Sequence, residues 1–460
     1  MVSADNVNLD VLELIFAYLF GNDLTSIALV SRSFFAGVIP HLYSTLLFRL
    51  SHAKRYPAVM SPFAAIAAHP EFAIHVRHVD IRTVPVVKTQ YNPKFLSECT
   101  RALDMCPNIT SFRCSTNALP PFIGALGQKE RLRDLRIHAN LTTDQSTKLI
   151  KLSKIRNLTL DFASWNIMNL LPQWTELLQS NLTTLTLFMA NELNETVLGA
   201  ALAHLPGLLG LHVVGCAKID HATIFNVVAH TPLLESLSMT TGEGGRTFPQ
   251  PPTSLPCLRN LTIDVRLTPV APMHPPGTSA LSTILSYINA SSPRLVSFIV
   301  KYPDRQIAIQ NSLVQQLISA HASTLKNLSF IDCTLGTTDS LAALCRACTS
   351  LERLEMWIPV RDLTIYTIAL SKSSTLRTLV DVDSHVHTHN PRPTLAQDGV
   401  RFMMASIPTL QKIVSDGRIW TRRTVLNVHD EAEDEDEIKV GLERRPTHGP
   451  ARHWFMPRRE

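Results

Sequence analysis

Two groups of residues in this 460-residue chain have the types and spacing for chemistry. Cys345-Arg-Ala-Cys348 is a C-x-x-C pair, the spacing by which two thiolates clasp one metal ion or exchange a disulfide. His385, His387 and His389 place three imidazoles, good metal ligands, close together. Neither group is completed. A structural zinc site usually takes four ligands from two such pairs, and no second C-x-x-C occurs. Cys345 and Cys348 fall instead in a segment of helical apolar spacing and read as two buried helical cysteines. The histidines stand beside Asn390-Pro-Arg-Pro393, the composition of a flexible insertion. The phosphate-binding G-x-x-x-x-G-K-S/T, the G-x-S-x-G elbow and the H-E-x-x-H zinc helix are absent. The chain is therefore expected to be non-catalytic, with no cofactor and no metal.

Composition narrows the remaining classes. The chain is 45% hydrophobic and 18% charged, against roughly a quarter charged in ordinary globular domains, so it can bury a large core. Its net charge is +5, with a C-terminal segment from Asp430 to Glu460 holding nine acids and six bases; the rest carries +8. That is too dilute to argue for nucleic acid. Eight cysteines without framework spacing suit a reducing compartment, cytoplasmic and/or nuclear. The opening Met1-Val-Ser-Ala-Asp-Asn6 has an acid and no basic region, unlike a secretory signal. Residues 196–217 lack charge over a length that imitates a membrane span, but His204, Pro206 and His212 interrupt them, and no membrane partner is expected.

The elements that position everything else are repeats. From residue 76 the pattern apolar-x-x-apolar-x-apolar recurs, as Val76/Val79/Ile81, Leu132/Leu135/Ile137, Leu182/Leu185/Leu187, Leu258/Leu261/Ile263 and Leu351/Leu354/Met356 among others. Copies beginning at 109, 132, 155, 182, 208, 234 and 258 are 23 to 27 residues apart, a leucine-rich-repeat period. Eight positions after the first apolar residue stand Asn117, Asn140, Cys216 and Cys333, where a side chain can bond the backbone of the turn. Two positions before it stand Pro107, Pro206, Pro232, Pro256, Pro293 and Pro408, each marking the end of a helix. Segments 194–205, 278–288, 311–320 and 338–347 have helical apolar spacing. The expected fold is α/β: a right-handed leucine-rich-repeat solenoid over 76–420, with parallel strands on the concave face and helices outside. Loop insertions are expected near 240–255, 266–277 and 383–397, and a charged, disordered tail over 421–460. Its acidic run Asp430–Glu437 reads as a solvated tail or as a contact for a basic partner or the basic body of this protein.

Alternation turns the side chains two, four and six places after the first apolar residue toward the concave face. They include Asp134, Arg136, His138, Phe188, His212, Lys301, Arg353, Glu355 and Trp357. Most are polar and expected to be solvated; Phe188 and Trp357 stand out as possible interface anchors, with Arg353 joining Trp357. The expected substrate face comprises Arg136, Phe188, His212, Arg353, Glu355 and Trp357, for a protein whose identity the sequence does not give.

The N-terminal 5–50 are organised differently, ahead of a linker and first solenoid helix over 51–75. Leu9, Leu12, Ile15, Phe16 and Leu19 form an apolar helical stripe, Gly21 and Asn22 break it, and Asp23 offers a cap for a second helix through Leu29. A module this small cannot bury so much apolar surface alone, which implies a partner. The spacing of these leucines, Asp23-Leu24, then Leu29-Val-Ser-Arg-Ser-Phe34 and Pro40-His-Leu-Tyr43, resembles the F-box. Asp10 departs from it, since that family usually has proline there, but aspartate also suits a first helical turn. With its repeats, the chain resembles fungal-type F-box proteins carrying leucine-rich repeats. The resemblance implies a substrate-recognition subunit of an SCF-type ubiquitin ligase, docked on the Skp adaptor, and through it on a cullin-RING ligase, by Leu9, Leu12, Ile15, Phe16, Leu19, Leu24, Leu29 and Val30. The alternative is an interaction scaffold outside ubiquitination, in which the stripe packs on residues 57–68 as a solenoid cap.

Overall fold

The computed structural model describes residues 9–19, 21–242, 248, 252–266, 278–290, 294–302, 307–382, 395–423, 439–443 and 453–457. Two compact units divide near residue 219: the first takes 1–219 with 446–452, the second 220–445 with 453–460.

The first unit opens with three helices, α1 (Leu9–Phe16), α2 (Asn22–Ala28) and α3 (Arg32–Leu42). Gly21, not Asp23, is the cap residue of α2, and Asp23 lies in the first turn, where its charge faces the helix dipole. Ser31 caps α3 by accepting from the Phe34 N–H. Leu12, Phe16, Leu24 and Val38 form the interior of this module. A Cβ at Gly37 would stand 3.2 Å from Leu12 Cβ and 3.2 Å from the Phe16 ring, so glycine sets how closely α1 lies on α3. Phe72 receives the module: its ring centroid lies 4.5 Å from Tyr43 and 6.4 Å from Phe35. Leu12 and Phe16 of the α1 stripe are thus covered by α3, while Ile15 is left exposed.

Parallel strands follow: β1 (Thr45–Phe48), β2 (His78–Ile81), β3 (Ser111–Cys114), β4 (Asp134–His138), β5 (Asn157–Asp161), β6 (Thr184–Phe188) and β7 (Gly210–Val214), each beside the next. The sheet therefore begins within the segment assigned to the N-terminal module. Tyr43, Leu46 and Phe48 carry the same apolar spacing as the later repeats. Register aligns the repeats: Leu135, Leu158, Leu185 and Leu211 form one row, and Ile137, Leu160, Leu187 and Val213 another, all buried. These rows are the core, because a strand–helix repeat buries its apolar edge only against its neighbours.

The second unit repeats the plan with β8 (Ser236–Gly242), β9 (Asn260–Arg266), β10 (Ser297–Lys301), β11 (Asn327–Ile331), β12 (Arg353–Met356), β13 (Thr378–Asp381) and β14 (Lys412–Ser415), paired parallel in that order. Leu237, Leu261, Phe298, Leu328, Leu354, Leu379 and Ile413 form its central row. The sheet closes antiparallel, with β15 (Arg418–Arg423) on β14 and β16 (Lys439–Glu443) on β15. Within the segment expected as a disordered tail, 421–423 and 439–443 are strand and 453–457 are described, while 424–438, with the acidic run Asp430–Glu437, 444–452 and 458–460 lie outside the described residues. Ile419 and Trp420 anchor β15 by burying their side chains.

Helices fall where the spacing put them: Glu195–Ala203, Thr278–Ala290, Asn311–His321 and Thr338–Ala347. Polar residues begin many of them. Thr142 and Gln145 make a reciprocal capping box, and Asn194, Asp220 and Thr337 each accept an N–H three residues on. Helix Pro93–Met105 stops before Pro107, Glu195–Ala203 before Pro206 and Gln397–Ser406 before Pro408. The turn position differs between repeats: Cys216 Sγ bonds the Leu187 carbonyl at 3.6 Å, whereas Asn117 and Asn140 are exposed. In those shorter turns Ala118 and Ala139 take the buried place. Of the expected loop insertions, 243–247, 249–251, 267–277 and 383–394 lie outside the described residues; 240–242 continue β8, and Gln397 begins a helix.

Strands β5, β6 and β7 end at residues of positive φ, Phe162 (53°), Met189 (54°) and Gly215 (74°). Such a conformation is unusual for a bulky side chain. Two of these residues still join the sheet: the Phe162 N–H donates to the Phe188 carbonyl at 2.9 Å and the Met189 N–H to that of Val214 at 2.8 Å. Among the described residues no helix is long and apolar enough to cross a membrane; 196–217 resolve into nearly the whole of the nine-residue helix Glu195–Ala203, a turn, β7 and the start of the next turn.

Candidate functional site

Cys345 lies in helix Thr338–Ala347 and Cys348 is its C-cap; both are buried, and burial pushes the thiols up to about 12 and about 11. No group of three or more His, Cys, Asp or Glu side chains is set to hold a metal among the described residues. His385, His387 and His389 lie outside them.

Three surfaces are left. On the N-terminal module, the residues proposed for adaptor contact divide by burial. Leu12, Phe16 and Leu24 are interior, and Leu19 packs partly against them. Ile15, Leu29 and Val30 are exposed, together with Val11, Leu14 and Tyr18, Leu29 at 88% and Tyr18 at 83%. Leu9 begins α1, and its side chain lies outside what is described. Helical geometry explains the division: α1 has two apolar faces, and α3 covers only one.

In each unit the polar face of the sheet is more closed than alternation suggested. His212 and Glu355 from the expected substrate face are buried, as are Thr159, Asp161, Thr262 and Asp264 beside them. These side chains satisfy one another, across neighbouring strands about 4.8 Å apart or two residues along one strand. Arg136 Nε meets Asp161 Oδ2 at 2.9 Å, Arg266 Nε meets Asp264 Oδ2 at 3.0 Å, and Arg353 Nε meets Glu355 Oε1 at 2.8 Å. Arg353 is thus paired along its own strand with Glu355. Burial raises the Asp264 carboxyl pKa, against the opposing pull of Arg266.

Of the six expected substrate-face residues, Arg136, Phe188 and His212 belong to the first unit and Arg353, Glu355 and Trp357 to the second. Phe188 is half-buried and joins an aromatic series missed in the sequence: Phe162 meets it edge-on at 5.9 Å and stacks on His138 at 5.2 Å. Phe162 is 46% exposed in spite of its bulk. Its signal was an aromatic residue directly following a strand.

The third surface is in the second unit, across β8, β9 and β10. Ser238 and Thr262, register partners on neighbouring strands, both donate to the carbonyl of Phe455, at 3.0 and 3.3 Å. Phe455 is fully buried. The Lys301 ammonium stands 4.9 Å from the centroid of the Trp454 ring, a cation–π geometry. His453 stacks on Phe455 at 4.7 Å and 11°, and the Met456 N–H returns to the His453 carbonyl, closing a turn. The bases beyond the acidic run had drawn attention to charge at this end of the chain; the aromatic pair beside them was the informative feature.

No family model matches the sequence, and no curated protein does. Among solved structures, the chain overlaps the complex of Rad7 and Elc1 from yeast over 71% of its own length and 77% of that chain, with 16% identity and a TM-score of 0.37. It overlaps the complex of TLR13 with ssRNA13 over 75% of its own length and 51% of that chain, with 15% identity and a TM-score of 0.36. Neither overlap bears on function, and the repeat architecture is the one given by the strand pairing above.

Proposed function

We propose that the chain is a non-catalytic substrate-recognition subunit of an SCF-type ubiquitin ligase, its N-terminal helices docking the Skp adaptor and its repeats holding a target protein. One observation carries the reading: six apolar side chains of a three-helix module, Val11, Leu14, Ile15, Tyr18, Leu29 and Val30, stay exposed after the module has closed its own core. Scattered surface leucines are ordinary, but this many on 20 residues of a small module suit a covered interface. They sit in the segment whose sequence resembles the F-box, and the F-box identity of α1 to α3 and the right-handed coiling of the repeats belong to the same reading. The chain's contribution would be proximity, raising the effective concentration of target lysines near a ubiquitin-loaded enzyme supplied by other subunits.

The test is co-purification with the Skp adaptor. The wild type is expected to bind, and Ile15→Asp with Leu29→Asp to abolish binding while leaving the melting temperature within a degree or two. A wild type that does not bind sinks the proposal. The scaffold alternative is favoured by one contact, that of Phe72 with Tyr43 and Phe35, which ties the module to the repeats. On that reading the same double variant changes nothing, and deleting residues 1–44 lowers the melting temperature instead.

A further inference from the structure

We infer that the polar face across β8, β9 and β10 is a recognition site for a short peptide carrying an adjacent Trp-Phe pair, and that the chain's own His453–Met456 segment occupies it as an intramolecular ligand.

The segment is held as a ligand is held. Its hydrogen bonds from Ser238 and Thr262 both go to a main-chain carbonyl, so they fix the peptide backbone whatever its sequence. Selectivity resides in the side chains on either side of that carbonyl: the buried Phe455 ring, and the Trp454 face presented to Lys301. Trp454 and Phe455 stand nearly perpendicular, at 87° and 5.6 Å, so one ring enters the face while the other lies against the cation.

The receiving strands are adapted to it. At the central position of this face β8 and β9 present Ser238 and Thr262; the first unit has a similar hydroxyl pair in Thr159 and Thr186, but Ser238 and Thr262 both spend their donors on the Phe455 carbonyl. In register with Thr262 comes Ile299, an apolar residue buried beside the two hydroxyls. Small hydroxyl residues beside an apolar one make a recess with two donors and a greasy floor, suited to an aromatic peptide. Lys301 keeps a second, looser partner in Asp332 at 3.9 Å, which aims its ammonium without neutralising it at contact distance.

The occupant is no part of any repeat. It touches the sheet through a few residues beyond β16, and a contact that short is displaceable. A target presenting the same pair would have to compete with it, which makes the segment a built-in threshold on binding. The inference concerns the target-holding half of the reading above and needs no adaptor, so either can fail without the other.

The experiment uses the full chain and a fluorescein-labelled peptide of residues 450–458, followed by anisotropy. The wild type, its site occupied, is expected to bind weakly. Phe455→Ala, which vacates the recess, should bind the peptide at least tenfold more tightly. Adding Ser238→Ala and Thr262→Ala, or replacing the peptide's tryptophan by leucine, should remove that gain. Equal binding by wild type and Phe455→Ala, or none by a folded Phe455→Ala, overturns the inference. Should that variant not fold, the wild type alone decides: excess unlabelled peptide should speed hydrogen exchange at the amides of 453–456, and unchanged exchange overturns the inference.

Discussion

Arg136 donates from Nε to Oδ2 of Asp161 across 2.9 Å, reaching from β4 to β5 on a face where both side chains are largely withdrawn from water. Asp161 is only 4% exposed, and this cation is one of the groups that support its buried charge. Arg136→Ala should destabilise the chain by about 2–3 kcal/mol in urea denaturation, since it leaves a buried carboxylate without its cation. Asp161→Asn in the Arg136→Ala background should recover part of that loss. If the two losses simply add, the pair is not coupled.

Histidine 321 predicts how stability varies with pH. It is buried, and neither ring nitrogen has a hydrogen-bond partner. Desolvation lowers its pKa from the ordinary 6.5. Below that pH the unfolded chain takes up a proton that the folded chain resists, so stability falls as pH drops and is unaffected above it. The slope from one such histidine is at most about 1.4 kcal/mol per pH unit. His138 and His221 are shifted the same way by burial. Melting temperatures between pH 7.5 and 5 should therefore decline, and His321→Leu should shallow the decline; an unchanged slope would remove His321 as a contributor.

Thiol accessibility gives a third check. Seven of the eight cysteines are buried and Cys257 is partly exposed. Burial raises the Cys106 thiol to about 11 and pushes Cys99 and Cys333 higher still, which suppresses the reactive thiolate. Iodoacetamide at pH 8 should modify Cys257 first in the folded chain and all eight only after denaturation, as read by mass spectrometry.

Gly37 separates folding of the N-terminal module from its surface. Gly37→Val places a side chain against Leu12 and Phe16 and should destabilise the module by about 2 kcal/mol, measurable as earlier proteolysis within residues 9–42. Leu29→Asp, at an exposed position, should leave proteolysis unchanged.

The repeats were legible in the sequence because their signal is redundant. The apolar triplet, the proline before it and the helical spacing after it share one phase, and the rows through Leu135 and Leu237 fall where that phase requires. The first strand was concealed because Tyr43, Leu46 and Phe48 overlap a motif with its own reading. The crowding of the polar face was not legible, since alternation tells which way His212 and Glu355 point but not which side chains close over them, as Arg353 of its own strand does over Glu355. At the N-terminus, spacing identified an apolar helix but could not divide Leu12 from Ile15, because the choice belongs to α3. The seat of Phe455 was beyond reach: it joins residues 217 positions apart through a single carbonyl.

The left-handed residues that close β5 and β6 have a consequence for how such a chain can change over time. Phe162 and Met189 redirect the backbone only after making their last bond to the adjacent strand. Whatever follows leaves the sheet with its alignment already settled. Leu261 and Phe298 lie side by side although 36 residues intervene, while Leu135 and Leu158, with 22 between them, are aligned no differently. Connections can thus lengthen, acquire prolines or gain new surface one at a time without disturbing the neighbours. Novelty in this architecture is local, and each repeat is free to diverge at its edge while its centre stays in step.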